Sequence, residues 1–568
     1  MTPLDVSPPN SESSASYVRH WLLLTVLVLL LVGTGIGLRD PWPADEPRFA
    51  QIAQEMVESG EWLLPRIGGH LYPDKPPLFM WAIAVSYLLT GHMSIAFLLP
   101  SLLAALGTVY LTYDLGRRLW GPRAGLMGAI LLAFTVQFAV QGRTAQIDAF
   151  LCFWATLAFY GLARHVLLGP QWRWCYAAFA AMGLGIITKG VGFLPVFALI
   201  PFVLARAMNG SHLAPVPIVS SRWLWAPLVL LGAVGVWGIP MLLAVAFSSD
   251  PAYSAYRDDL LFRQTVERYA RSWGHIKPPW YYLTEVIPLF WFPLSVLLFW
   301  LVPRWWRQLR VRDGRFVVLL GYVGLVVLFF SLSPGKRGLY VLPALPVAVL
   351  AAAPMLPTLW AGRAIHYLSW SLVLVFGLTF AGAAAYFLWI DPSAGVELVA
   401  KHQFEPWPAL IALAAAALLA VLARRPSLGG QALLAWLLAM WLVYGLWVYP
   451  NFDSVRSGRA LMQEVAQRMG DGGELGLVDW REQFLYQADR PVVNFGFRAR
   501  DRRAEVQEAI NWLRQGDQRW VLLPDEHLSP CFDSSAAEFV GLAHRERWYL
   551  VNAQIVLPCP DQGTPSGQ

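Results

Sequence analysis

The chain has 568 residues, 57% hydrophobic and only 14% charged, with a formal net charge of +6 and a mean hydropathy of +0.47. A soluble domain carries about 25% charged residues, so a water-soluble globular enzyme is excluded and a polytopic α-helical membrane protein is indicated. The 28 Trp and 41 Pro agree, since Trp gathers at bilayer interfaces and Pro is tolerated in membrane helices, and so small a charge surplus gives no footing for nucleic acid.

Residues 1–19 are polar, rich in Ser and Pro, and read as a disordered cytoplasmic N-terminus. The apolar run from Trp21 to Leu38 suffices for one span at about 20 residues per crossing. It has no small-residue cleavage site, so it reads as a retained first helix. Further spans are predicted at 94–114, 124–141, 148–163, 174–188, 190–206, 223–246, 282–302, 316–333, 338–355, 367–390, 406–423 and 431–449, about thirteen in all. The run 77–91 is short and follows a Pro pair, so it reads as an interfacial helix on the outer side. With the N-terminus inside, this count keeps Arg117, Arg118 and Arg123 cytoplasmic, together with Arg164, Arg173, Arg206, Arg222, the 304–315 arginine cluster, Arg424 and Arg425. That is the bias expected of cytoplasmic loops.

An odd count places residues 450–568 outside. This tail alternates strand-like runs (475–478, 492–495, 521–523, 548–551) with helical patterns (456–469, 502–514) and reads as a small α/β domain. The predicted organisation is a transmembrane domain over 20–449, with outer loops 39–93 and 247–281, followed by that domain. Cys152 and Cys175 fall in apolar runs, whereas Cys531 and Cys559 share the tail. An oxidising compartment would join the latter pair as a disulfide.

Polar residues are few, so their clustering is informative. The first outer loop (39–76) holds the adjacent carboxylates Asp45 and Glu46, then Arg48, and later Asp74 and Lys75. Phe49, Ile52, Ala53 and Met56 have helical spacing, which would let 47–58 lie flat on the membrane. Asp45 and Glu46 then stand at a helix N-terminus, where negative charge is favoured, and a plain helix cap is the bland alternative. Arg143, Asp148, Lys189, Lys336, Arg337 and Tyr340 sit at three other outer turns. Ionisable groups at that depth are functional candidates, against snorkelling to the interface as the ordinary account. In the loop 247–281, His275 and Lys277 precede an aromatic run that also suits an interfacial belt. No HxH, HExxH or CxxC pattern occurs, so a divalent metal has only thin candidates in Glu267 and His275.

Cations suit a phosphate leaving group, and a carboxylate suits activation of an acceptor hydroxyl. A lipid-linked sugar phosphate would meet both. A transporter or flippase of such a precursor is the competing reading. It would favour charges near the midplane and related halves, neither of which the sequence displays.

The stretch DEPRFAQIAQEMVESGEWLLPRIGGHLYPDKPPLFMW (45–81) resembles the first periplasmic loop of the GT-C membrane glycosyltransferases. Within these it is similar to the bacterial branch related to protein O-mannosyltransferases, and there to the lipid A 4-amino-4-deoxy-L-arabinose transferases. RTAQID (143–148), TKG (188–190), HIKPPWYY (275–282) and KRGLYVLPALP (336–346) extend the similarity along the chain. The resemblance implies a bacterial inner-membrane enzyme with a periplasmic active site. It would move a sugar from polyprenyl (undecaprenyl) phosphate to lipid A or another envelope glycolipid or glycan, a protein acceptor being the variant, by inverting displacement at the anomeric carbon. It also implies that Asp45 and Asp148 are the principal carboxylates, with Glu46 and Asp74 beside them. Arg48, Lys75, Lys189, Lys336, Tyr340 and His275 would surround the donor phosphate and lipid. Asp74 stands where the family usually has Glu, and Phe49 where Tyr is common.

Overall fold

In the computed structural model, residues 14–261, 275–495, 502–528 and 530–558 are described. Among these, nine helices are long and apolar enough to cross a membrane, or up to twelve if each sharply bent pair is one span. The expected span 174–188 is a helix of only 15 residues, Trp172–Ile186, and falls short of that criterion.

Hydrogen bonds nevertheless sort the loops into two opposite ends. One end gathers residues 33–46, 143–148, 187–189, 275–277, 333–340 and 449–459, through pairs such as Ala145 N–H to Glu46 and Lys336 N–H to His275. The other gathers 17–20, 110–121, 160–172, 206–223 and 308–315, through pairs such as His20–Tyr113 and Tyr160–Asp114. The helix Trp172–Ile186 starts beside Trp223 at the second end. It finishes at Ile187, whose carbonyl accepts from Leu78 N–H at the first. A short helix thus runs between the two ends, packed on the helices Ile147–Val166 and Trp225–Phe247.

The helix Leu78–Thr90 does not traverse. Leu78 bonds to Ile187, and Ser94 just past the helix accepts from Gly37 N–H, so both ends of the helix lie at the first end. The loop helix Glu46–Ser59 buries Phe49, Ile52, Ala53 and Met56 against it, with Phe49 edge-on to Phe79 at 5.5 Å. The apolar face that the sequence assigned to the membrane is covered by protein instead.

Two bends meet and are joined, one of them the 118° turn between Tyr282–Phe290 and Leu294–Arg310. The chain turns by 67° between Pro122–Phe134 and Val136–Gly142. The freed Val136 N–H donates to the Phe292 carbonyl at 2.9 Å, and Gln137 bridges Trp291 Nε1 and the Gly338 carbonyl. Broken helices survive at membrane depth where neighbours satisfy the freed backbone in this way.

The last long helix runs to Arg456, and the sheet-bearing unit follows Gly458, whose φ of 79° ends the run. A hairpin in the first loop supplies β1 (Arg66–Ile67) and β2 (His70–Leu71). The C-terminal unit supplies β3 (Glu474–Leu477), β4 (Val492–Asn494), β5 (Arg519–Pro524), β6 (Glu538–Ala543) and β7 (Glu546–Asn552), in the order β4-β3-β5-β7-β6. β3 is parallel to β4 and β5, and β7 is antiparallel to β5 and β6. β6 escaped the sequence reading because Gly541 and a register shift interrupt its alternation. Cys531 is disulfide-bonded, Cys152 and Cys175 are free and buried, and Cys559 lies outside the described residues.

Candidate active site

The first end of the bundle carries a ring built from four of its segments. Arg39 and Glu46 form its rigid base. Arg39 Nη2 donates to Glu46 Oε1 at 2.8 Å and Nη1 to Oε2, and the remaining lone pairs accept from Trp42 N–H at 2.8 Å and Ala145 N–H at 2.9 Å. Both side chains are buried, at 1% and 5% exposure. Glu46 therefore ties the first loop to the 143–148 turn, and no oxygen is left for substrate. The catalytic part expected of it is not supported by this geometry, which makes it a structural anchor.

Asp45 differs. It precedes the same helix, makes no side-chain cap hydrogen bond and is one-fifth exposed. Arg48 Nη1 and Arg337 Nη2 each stand 3.6 Å from one of its oxygens. This carboxylate is flanked by two cations, bonded tightly to neither, and stays accessible. From Arg337 the ring continues to Tyr340, one turn on. The Lys189 ammonium lies 4.8 Å from the Tyr340 ring centre and donates to Asp148 Oδ1 at 2.7 Å. Asp148 is buried in the first turn of the helix Ile147–Val166, two residues from Gln146 and three from Ala145, which closes the ring back onto Glu46. The bond from Leu78 to Ile187 joins the Asp74–Lys75 segment to Lys189.

Other expected residues take different parts. Arg48 donates through Nε and Nη2 to Glu482 Oε1 at 2.9 and 2.6 Å, so most of its guanidinium is committed to the C-terminal unit. It also faces Tyr72, whose phenol burial pushes above its ordinary value against the pull of Arg48. Lys75 donates to the Asp74 carbonyl at 2.7 Å. Lys336 is buried and donates to the carbonyls of Lys277 and Ser333, while its own N–H bonds the His275 carbonyl at 2.9 Å. That ammonium staples two backbone segments and is not open to a phosphate. His275 contributes its carbonyl, its side chain being exposed at a φ of 56°. Arg143 is likewise a staple, donating to the Leu31 and Thr34 carbonyls beneath Trp441, Tyr444 and Tyr449. Among the described residues no three His, Cys, Asp or Glu side chains stand together as metal ligands. Of the two metal candidates from the sequence, His275 is described and Glu267 lies outside the described residues.

Sequence reasoning missed Arg39, and it left Arg337 off the set of donor-binding residues. Arg39 directly follows an apolar run, where snorkelling is the default account. Arg337 had its signal in the KRGLY motif, but there Lys336 drew the assignment. The apolar recess of 410 Å³ lined by Val302, Pro303, Trp305, Trp306, Leu309 and Leu320 lies at the opposite end and adds no polar group.

Comparison with known proteins follows the same geometry. The profile of the family described as dolichyl-phosphate-mannose-protein mannosyltransferase matches residues 74–253. ArnT from Cupriavidus metallidurans, crystallised with undecaprenyl phosphate, superposes with a TM-score of 0.70 at 18% identity, covering 95% of this chain and 98% of that one. The chain shares the fold of that structure along nearly its whole length. The undecaprenyl phosphate-α-4-amino-4-deoxy-L-arabinose arabinosyl transferase 1 of Pseudomonas fluorescens is 31% identical over 65% of this chain and 66% of its own length. The second such transferase of Sodalis glossinidius is 31% identical over 58% of each. The chain thus spans about three-fifths to two-thirds of the length of these relatives.

Proposed function

We propose that the chain transfers a sugar, 4-amino-4-deoxy-L-arabinose in the first instance, from undecaprenyl phosphate to lipid A or another envelope glycolipid. The observation that carries this is Asp45, an accessible carboxylate between Arg48 and Arg337 at 3.6 Å each, on a ring that also holds the Lys189–Asp148 pair. Asp45 orients the acceptor and takes its proton as the acceptor oxygen bonds to the anomeric carbon. The bond from that carbon to the lipid phosphate breaks with inversion, and Arg337, Lys189 and Lys75 stabilise the departing phosphate. Asp148 keeps Lys189 in place.

The arginine-rich 304–315 segment lies at the end opposite the site. By the positive-inside bias this supports a cytoplasmic position for that end, and hence an active site and C-terminal unit on the periplasmic face of a bacterial inner membrane. Ionisable side chains gather at the ends of the bundle, which suits an enzyme better than a flippase. Mass spectrometry of lipid A from cells with and without the protein tests the proposal. Addition of one aminopentose mass on lipid A is expected. An unchanged lipid A beside a change in another envelope glycolipid would overturn lipid A as the acceptor, and no change in any glycolipid would overturn the activity.

A further inference from the structure

Three contacts between the C-terminal unit and the first loop arise from one short stretch, 480–487. Glu482 binds Arg48, Gln487 Nε2 donates to Asp40 Oδ2 at 2.7 Å, and Trp480 and Leu485 meet the hairpin tip at Gly68. A side chain at Gly68, where φ is 56°, would come within 3.3 Å of both Trp480 and Leu485, so glycine suits the tip both by its backbone and by the space it leaves. The stretch leaves the carboxyl end of β3, just where the strand order reverses between β4 and β5. In open α/β sheets that crevice is where ligands are taken. Here the catalytic loop of the same chain lies against it.

The consequence bears on Asp45. One edge of the Arg48 guanidinium, Nε and Nη2, is fixed by Glu482, while Nη1 faces Asp45 across 3.6 Å. The geometry points to Glu482 as a positioning residue for Asp45, acting through Arg48. Without Glu482, Arg48 is free to close onto Asp45 and pair with it directly, which removes the carboxylate from use. The C-terminal unit is thereby part of the catalytic arrangement and not a passive appendage. This rests on the reading of Asp45 as the carboxylate at the reacting centre.

The test uses the purified full-length protein, with undecaprenyl phosphate-linked aminoarabinose as donor and lipid A as acceptor. Glu482→Gln lowers kcat about tenfold or more, as misplacement of a catalytic group does, while the donor KM stays within about twofold. Arg48→Ala lowers kcat as well, and the double variant is no slower than Arg48→Ala alone, because the two residues act in series. An unchanged kcat in Glu482→Gln, or losses that multiply in the double variant, overturns the positioning role. Glu482→Asp, which keeps the charge and shortens the reach by one methylene, reads the same property if the Gln variant does not fold. Hydrogen exchange supplies a readout that needs no substrate. Glu482→Gln speeds exchange in the first turns of the helix Glu46–Ser59 and leaves β3, β5 and β7 protected; unchanged exchange in that helix, or loosening centred on the sheet, overturns the inference. Asp45→Asn run alongside keeps the two readings apart, since full transfer in that variant sinks the assignment of the site and leaves the exchange result standing.

Discussion

Arg39 grips both carboxylate oxygens of Glu46 in a buried, paired geometry, while the adjacent Asp45 is left one-fifth exposed between two arginines. Neighbouring acids in one loop are thus held in opposite ways, and substitution separates them. Glu46→Ala leaves a buried guanidinium unpaired, which costs about 3–5 kcal/mol, and the variant is expected to unfold at lower temperature or fail to accumulate. Asp45→Asn is expected to unfold at the parent temperature and to lose transfer. Thermal unfolding read beside activity distinguishes the two, and an active Asp45→Asn or a fully stable Glu46→Ala would reverse the assignment.

The Lys189–Asp148 pair and Arg337 are expected to act on the donor phosphate rather than on the fold of the loop. Lys189→Ala and Arg337→Ala should each raise the donor KM about tenfold, equivalent to about 1.4 kcal/mol of lost interaction. Lys336→Ala should instead lower stability, because its ammonium holds the Lys277 and Ser333 carbonyls. Donor titration and unfolding of the three variants, measured together, check the distinction. A KM effect confined to Lys336→Ala would contradict it.

His544 gives the C-terminal unit a pH dependence. Burial, helped by Arg456 and Arg481, depresses its pKa to about 4 from the usual 6.5. The unfolded chain therefore binds the proton more readily than the folded one, so stability is full above pH 6.5 and declines as pH falls from about 6.5 towards 4. The loss is at most about 3 kcal/mol. His544 has a φ of 55°, which Asn tolerates well, so His544→Asn should flatten this part of the curve. Denaturation across that pH window measures it.

The hydrophobic runs placed most elements, because apolar length and period are local properties. They gave the nine long apolar helices and the three sharply bent pairs, the non-crossing helix Leu78–Thr90, and four of the five strands of the C-terminal sheet. The thirteenth, Trp172–Ile186, fails the length test, and only its packing on Ile147–Val166 and Trp225–Phe247 shows that it runs between the two ends. The edge strand β6 was illegible for a related reason, since its alternation is broken at Gly541 and only pairing with β7 defines it.

The candidate site divides in the same way. Composition and motif fixed which residues could do chemistry, since charged side chains in so apolar a chain are costly to keep and few in number. Whether a given charge is spent on structure or left for substrate depends on partners remote in sequence. Glu46 is silenced by Arg39 and Ala145, Lys336 by Lys277 and Ser333, and Arg48 is held by Glu482, 434 residues away. Asp45 stays available because its two arginines stop at 3.6 Å. Residue type determines the reactivity a group can offer, but its free lone pairs and protons are counted only when every neighbour in space is known, and that count belongs to the tertiary structure.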